Sequence, residues 1–386
     1  MQELGGPGGK TIPGARGFIP LIRPSVGEEE LEEVRSVLRS GWLSQGAKVR
    51  QFEREFATHI GAKYAVATSS CTTALSLAID ALQLKIGSEM VVPDFTFPAT
   101  ANVVIRAVST PVLVDVREDT FAIRPSETAK ALGKKTSAIM PVHPFGHPFE
   151  TDELYELASR KGIEVIEDAA TAIGTKYKGK LVGASRRAVC FSFHPRKLLT
   201  TAEGGCLVTD DKAVYERAVA LRNHGQVADK RGRIKFRYNG LNYRMSDVHA
   251  AIGIAQLKKT DSIISSRRRQ AELYNEILGS SKLDIQLPLE EEWAYHTYQS
   301  YVIVLGKSLP TNDRIIRVLK ERFRIETQVG TYSLSLQPSF RGTLSVGTLR
   351  TSRLLYRRSL TLPLFESLSE EDQVYIVESL ASASRL

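Results

Sequence analysis

The residues of this 386-residue chain that could do chemistry gather at a few turns. In "VCFSFHPRKLLTTAEGGCLVTD" (189–210), Lys197 follows one apolar run, 189–193, and precedes another, 206–208, with Glu203-Gly204-Gly205 between. A lysine amine carried to a buried strand end can lose its proton and form an imine with an aldehyde. A lysine that snorkels to the surface is the other reading. Ser192 stands one strand period past Cys190 and can face the same place. Gly204 and Gly205 offer φ > 0 for a tight return into the next strand. In "IEVIEDAATAIG" (163–174) a buried run ends in Glu167-Asp168. An aspartate there is costly without a partner, and a protonated ring nitrogen would be one; a helix cap is the alternative. "VPDFTFPAT" (92–100) sets Phe95 and Phe97 after a strand, to stack on a flat ring or to fill a core. "VATSSCTTALSLAI" (66–79) sets Ser70, Cys71 and Thr72 at the head of an apolar helix. Free N–H groups and hydroxyls there can hold a phosphate or merely cap the helix. Phosphate cradle, aromatic, aspartate, serine and lysine, in that order, match pyridoxal 5'-phosphate, which has a phosphate, a flat ring, a basic ring nitrogen and an aldehyde.

These residues need strand ends to stand on. Short apolar runs at 64–68, 89–92, 112–116, 138–142, 164–167, 189–193 and 206–209 alternate with helical patterns. The runs are continuous rather than alternating, as in strands covered on both faces. Strand–helix alternation then predicts an α/β domain with a mostly parallel seven-stranded sheet and its ligand at the strands' carboxyl ends. Before the sheet, Ser25 and Glu28 fit a capping box for a helix with Leu31, Val34, Val37 and Leu38 on one face. A second helix carries Val49, Phe52, Phe56 and Ile60. A long helix from Ser246 to about Leu278 leaves the sheet, with Val248, Ile252, Ile254, Ala255 and Leu257 apolar on more than one side. Weaker patterns follow: a strand at 298–305 and helices at 312–322 and from Ser369. The expected organisation is a glycine-rich mobile tail at 1–17, a large domain at 18–279 and a smaller α+β domain at 280–386.

Composition narrows the function. The 52 Lys+Arg against 43 Asp+Glu give a net charge of +9, which suits anionic ligands. No basic tract interleaved with aromatics points to nucleic acid, and "SRRRQ" (266–270) reads as a solvated helix face. Cys71, Cys190 and Cys206 lack metal-ligand spacing, so no metal is expected, and a reduced, cytoplasmic protein is the simplest reading. No run approaches the roughly 20 apolar residues that span a bilayer.

From about Ile19 onward the chain resembles the DegT/DnrJ/EryC1/StrS family of sugar aminotransferases, which have the aspartate-aminotransferase (type I) fold. The resemblance rests on ordered blocks, among them "VATSSCTTAL", "VPDFTFPATANVV", "PVHPFGHP", "IEDAATAIG", "FSFHPRKLLTTAEGG" and "YNGLNYRMSDVHAAIGIAQL". It implies that Lys197 forms a Schiff base with the cofactor and shuttles the proton. It implies that Asp168 pairs with the pyridine nitrogen, that Phe97 stacks on the ring, and that Cys71, Thr72 and Ser192 hold the phosphate. It also implies that Asn242 reaches the phosphate of the neighbouring subunit, which makes a homodimer with shared active sites. The reaction implied moves an amino group from an amino acid, by family habit glutamate, to a keto group on a nucleotide-linked sugar. A sugar dehydratase, a carbocycle aminotransferase and a non-enzymatic ligand sensor are the alternatives; the intact Lys197–Asp168 pair favours transamination. Four positions depart from the family. Cys71 replaces a usual glycine, Thr171 a glutamine near the cofactor's phenolic oxygen, and Ala202 a glycine, while "GTYSLSLQPSF" (330–340) lacks a frequent histidine. His143 is expected to support the structure rather than to act directly.

Overall fold

In a computed structural model, residues 17–385 are described; most of the expected tail at 1–17 lies outside them. Among the described residues the main sheet has strands β1 (Tyr64–Thr68), β2 (Glu89–Pro93), β3 (Thr110–Val114), β4 (Thr136–Ile139), β5 (in two pieces, Glu164–Val165 and Glu167–Asp168), β6 (Val189–Ser192) and β7 (Gly205–Thr209). Their spatial order is β1-β7-β6-β5-β4-β2-β3, joined between β4 and β5 by their own pairing and by a bridge from Val142 to Asp168. All neighbours run parallel except β7, which is antiparallel to β1 and β6. The expected mostly parallel seven-stranded sheet is present, with strand limits shifted by at most three residues. An edge strand, Leu344–Ser345, joins β3 in parallel from far down the chain.

Helices cover both faces, and the period of two sorts each strand between them. Val66, Cys190 and Leu207 face the core under Cys71–Ala81 and Lys212–Arg222. Ala65, Ala67, Phe191 and Val208 face the core under Ala47–Ile60 and Asp247–Ser280. There Phe52, Phe56, Phe191 and Phe193 meet at ring distances of 5.1–5.7 Å, in the offset and edge-on geometries that aromatic pairs favour. A further core packs Tyr301–Leu305, which lies between Ile285–Gln286 and Ser359–Leu362, against helices Asn312–Phe323 and Glu370–Ala383. It also takes in Ile19 and the end of the long helix at Ala271, Tyr274 and Leu278. No helix among the described residues is long and apolar enough to cross a membrane.

Two surface expectations, for the first helix and for "SRRRQ", need correction. The first helix starts at Glu28 with Gly27 as its cap, and Glu30 rather than Glu28 closes the box by accepting the Gly27 N–H at 2.7 Å. Its apolar stripe is not a buried face: Val37 is buried, but Leu31 and Leu38 are 49% and 60% exposed. On the long helix, Ile254, Ala255 and Leu257 are buried within this chain, because the two N-terminal helices pack along it. In "SRRRQ", Arg267 is buried; its guanidinium donates to Glu366 at 2.9 Å and to the Gln299 carbonyl at 2.8 Å.

The glycines of Glu203-Gly204-Gly205 serve close approach, not positive φ. A Cβ at Gly205 would lie 2.4 Å from the Cys71 nitrogen, and one at Gly204 would lie 2.3 Å from the Thr201 hydroxyl. The left-handed position is Ala202, at φ +67°, where a Cβ crowds the following carbonyl. Ala202→Gly should therefore raise stability by about 1 kcal/mol, read as a higher urea midpoint at unchanged slope.

A buried histidine makes folding sensitive to acid. His147 donates from Nδ1 to the Pro148 carbonyl at 2.7 Å and is 2% exposed. Burial, helped by Arg117 and His143, pushes its pKa down to about 4. The folded chain then binds fewer protons than the unfolded chain between pH 6.5 and 4, so stability falls as pH drops through that window. From pH 7 to 5 the loss at His147 should be about 2 kcal/mol. Urea titrations at the two pH values should show it, and His147→Phe should lose that part of the slope.

Candidate active site

Because β1, β6 and the central parallel strands point the same way, their carboxyl ends share one edge, and a cavity of about 560 Å³ opens there. Ser70, Cys71, Thr72, Phe97, Asp168, Thr171, Ser192 and Lys197 all line it. Asn242 does not: it is exposed on a loop bridged to Asn223. His143 does not line it either.

Ser70 caps the helix Cys71–Ala81 by accepting the Thr73 N–H at 3.1 Å, and the Thr73 hydroxyl answers by accepting the Ser70 N–H at 3.0 Å. Capping and anion binding therefore coexist: the cap uses the Thr73 N–H, and no bond among the described residues takes those of Cys71 and Thr72. Phe97 is 63% exposed, so it fills no core; its ring stands 6.4 Å from that of Tyr332 across the cavity wall. Phe95, in contrast, is buried against Phe121 and Phe145.

Asp168 sits at the end of β5. Its carboxylate accepts from the Thr100 hydroxyl at 2.8 Å and from the Ala170 N–H at 3.1 Å. Burial pushes its pKa up, while those two bonds and the charge of Lys197 pull it partly back. The Lys197 amine makes no ion pair among the described residues. Burial lowers its pKa, against the pull of Cys71 and Asp168. Burial also pushes the Cys71 thiol well above its usual range. Behind Asp168, His143 Nε2 pairs with Glu167 at 2.8 Å, and Tyr155 donates to the same carboxylate. That buried group holds the strand end from below. The Thr171 hydroxyl donates to the His143 carbonyl at 2.6 Å, so it ties the turn after Asp168 to its neighbour.

The stretch at 330–340, marked in the sequence only through the family resemblance, supplies one wall of the cavity from far down the chain. Tyr332–Ser333 pairs antiparallel with Phe95–Thr96, and Asp94 accepts from the Ser333 hydroxyl at 2.6 Å and the Ser335 N–H at 2.7 Å. This clasp brings Gln328, Gly330, Thr331 and Tyr332 to the cavity, where Arg196, Glu203 and Gln299 also stand. No local pattern marks them, because the pairing spans more than 200 residues.

The profile of the DegT/DnrJ/EryC1/StrS aminotransferase family matches residues 24–381. The chain belongs to this family. GDP-perosamine synthase from Escherichia coli O157:H7 is 35% identical over 366 residues, 94% of this chain and 98% of that protein. Among solved structures, the PMP form of Spr1654 from Streptococcus pneumoniae is 26% identical with a TM-score of 0.89, over 96% of this chain and 99% of that one. DesI, solved in the presence of its TDP-sugar product, is 29% identical with a TM-score of 0.87, over 97% and 95%.

Like other members of the family, the chain is a pyridoxal-phosphate-dependent aminotransferase with the type I fold. Its residues fit the cofactor. The helix head offers two N–H groups, and Gly205 lets β7 lie against that head where any side chain would collide. Asp168 is a buried carboxylate that a cation would stabilise, and Lys197 is an amine with no fixed partner. The departures at Cys71 and Ala202 fit the same frame. Cys71 keeps its N–H while its side chain turns into the core, and Ala202 takes the backbone conformation that glycine adopts without strain.

Proposed function

We propose that this aminotransferase transfers an amino group from an amino acid, glutamate foremost, to the keto carbon of a nucleotide-linked sugar in the cytoplasm. The observation that carries the reading is Lys197, an unpaired amine with a lowered pKa, facing the same cavity as the buried Asp168. GDP-perosamine synthase and DesI supply the substrate class, and the net charge of +9 suits a diphosphate.

Bound pyridoxal phosphate supplies an aldehyde that condenses with amines and a ring that accepts an electron pair. Ser70, Cys71, Thr72 and Ser192 would hold its phosphate, Phe97 its ring face and Asp168 its ring nitrogen. Lys197 Nζ acts as the base: its lowered pKa leaves the amine able to take a proton from the donor's α-carbon and return it elsewhere. Asp168, anchored by Thr100 and Ala170, supplies fixed negative charge that costs no reorganisation during the reaction.

We further propose a homodimer in which Asn242 completes the partner's site. The hairpin Gln226–Ala228 and Ile234–Phe236 and the following loop expose Ile234, Phe236 and Leu241 at 58%, 70% and 57%, an apolar surface that a second copy would cover. Asn242→Ala should weaken cofactor binding by about 1.5–3 kcal/mol, the worth of one hydrogen bond to a charged group. Equilibrium dialysis measures this, and unchanged affinity would count against a shared site. The reaction itself is tested by incubating the protein with glutamate and dTDP-, UDP- and GDP-linked keto sugars. Mass spectrometry should find an amino sugar with one member of the panel, and no product from any of them would refute the substrate class.

A further inference from the structure

One cation of the cavity, Arg196, has no part in holding the cofactor or moving the proton. Arg196 lines the cavity, is exposed, and stands next to Lys197 in the chain. Its Nη1 donates to the Gln328 side-chain oxygen at 2.7 Å, and its carbonyl accepts from Gln299 Nε2 at 2.8 Å. Among the described residues no carboxylate pairs with it, and its Nε–Nη2 edge has no partner. That edge presents two parallel donors, the geometry that grips a carboxylate at both oxygens. The other charged side chains of the lining are Asp168 and Glu203, which repel anions, and Lys197. Burial lowers the pKa of His194, so it holds a proton less readily than a free imidazole. Arg196 is thus the lining's permanent cation.

Both proposed substrates carry anions, at different distances from the reacting carbon. An amino acid's α-carboxylate is bonded to that carbon and must lie beside the Lys197 amine. A nucleotide sugar's diphosphate is held away from the keto carbon by the sugar ring. Arg196 lines the same cavity as Lys197 and adjoins it in the chain, so its free edge and the Lys197 amine serve one space, the place where an α-carboxylate must go. We propose that Arg196 receives the α-carboxylate of the amino donor, with Gln328 holding the guanidinium in position. This rests on the aminotransferase reading of the site.

The test follows the half-reaction of the loaded enzyme with glutamate by absorbance, in wild type, Arg196→Gln and Arg196→Lys. Arg196→Gln should raise the half-saturating glutamate concentration roughly 10- to 100-fold while the limiting rate stays within about threefold, since proton transfer belongs to Lys197. Arg196→Lys should recover part of the affinity, because a point charge replaces a fork. Inhibition by glutarate, a dicarboxylate without the amine, should weaken in Arg196→Gln by a similar factor. Binding of UDP, dTDP and GDP, read by calorimetry, should not change. An unchanged half-saturation in Arg196→Gln overturns the inference and leaves the aminotransferase reading standing. An equal loss of glutamate and nucleotide binding also overturns it, because that is the mark of general distortion. A wild type that reacts with no amino acid would remove the functional reading and this inference together.

Discussion

Lys197→Ala will abolish turnover, by at least about 10²-fold, and leave the fold intact. The magnitude follows from removing the site's base, since general base catalysis alone is worth about 10²–10⁴-fold. The intact fold follows from the structure: the amine pairs with no carboxylate, and its burial is a cost that the unfolded chain does not bear. The variant should therefore unfold at a urea midpoint equal to or above that of wild type. A substitution that merely damaged the core would lower the midpoint together with the rate. Measured transaminase activity within tenfold of wild type would show that another group is the base.

Asp168→Asn should have effects of opposite sign on stability and on function. A carboxyl whose pKa is raised by folding costs stability at any pH above that pKa, so the cofactor-free protein should gain stability at pH 7 when the charge is removed. Thr100 can still bond an amide oxygen, so the local geometry need not collapse. The function should fall, because the fixed charge meant for a cationic ring nitrogen is lost. By analogy with other preorganised electrostatic contacts the activity should drop about 10²- to 10³-fold, and the variant should retain less cofactor on dialysis. Urea titration without cofactor and dialysis with it measure the two signs separately. Loss of stability with cofactor retention unchanged would make Asp168 a structural residue only.

The parts of this arrangement that sequence reveals are the ones fixed by local periodicity. Val49, Phe52, Phe56 and Ile60 recur at helical spacing and are all buried. The continuous apolar runs announce a sheet covered on both faces, and strand ends then mark one edge of it. That is why every candidate residue except Asn242 meets in one cavity. Periodicity fails where its partner is elsewhere. Leu31 and Leu38 share a stripe with Val37, but the long helix covers only part of that helix. Arg267 lies in a charge run, yet Glu366, about a hundred residues on, makes it a buried residue. Ala202 hides its strain because nothing in an alanine announces a positive φ. The wall from Gln328 to Tyr332 depends on Asp94 clasping Ser333, a pairing with no local signal. Arg196 looks like any surface charge in the sequence, yet it lines the cavity beside Lys197.

If Lys197 is the residue that carries the cofactor, covalent trapping shows it most directly. Protein loaded with pyridoxal phosphate, treated with borohydride and digested should give one modified peptide, with the added mass on Lys197. Glutamate added before the borohydride should abolish that modification. A modified peptide carrying another lysine, or no modification of Lys197 in fully loaded protein, would show that Lys197 does not carry the cofactor.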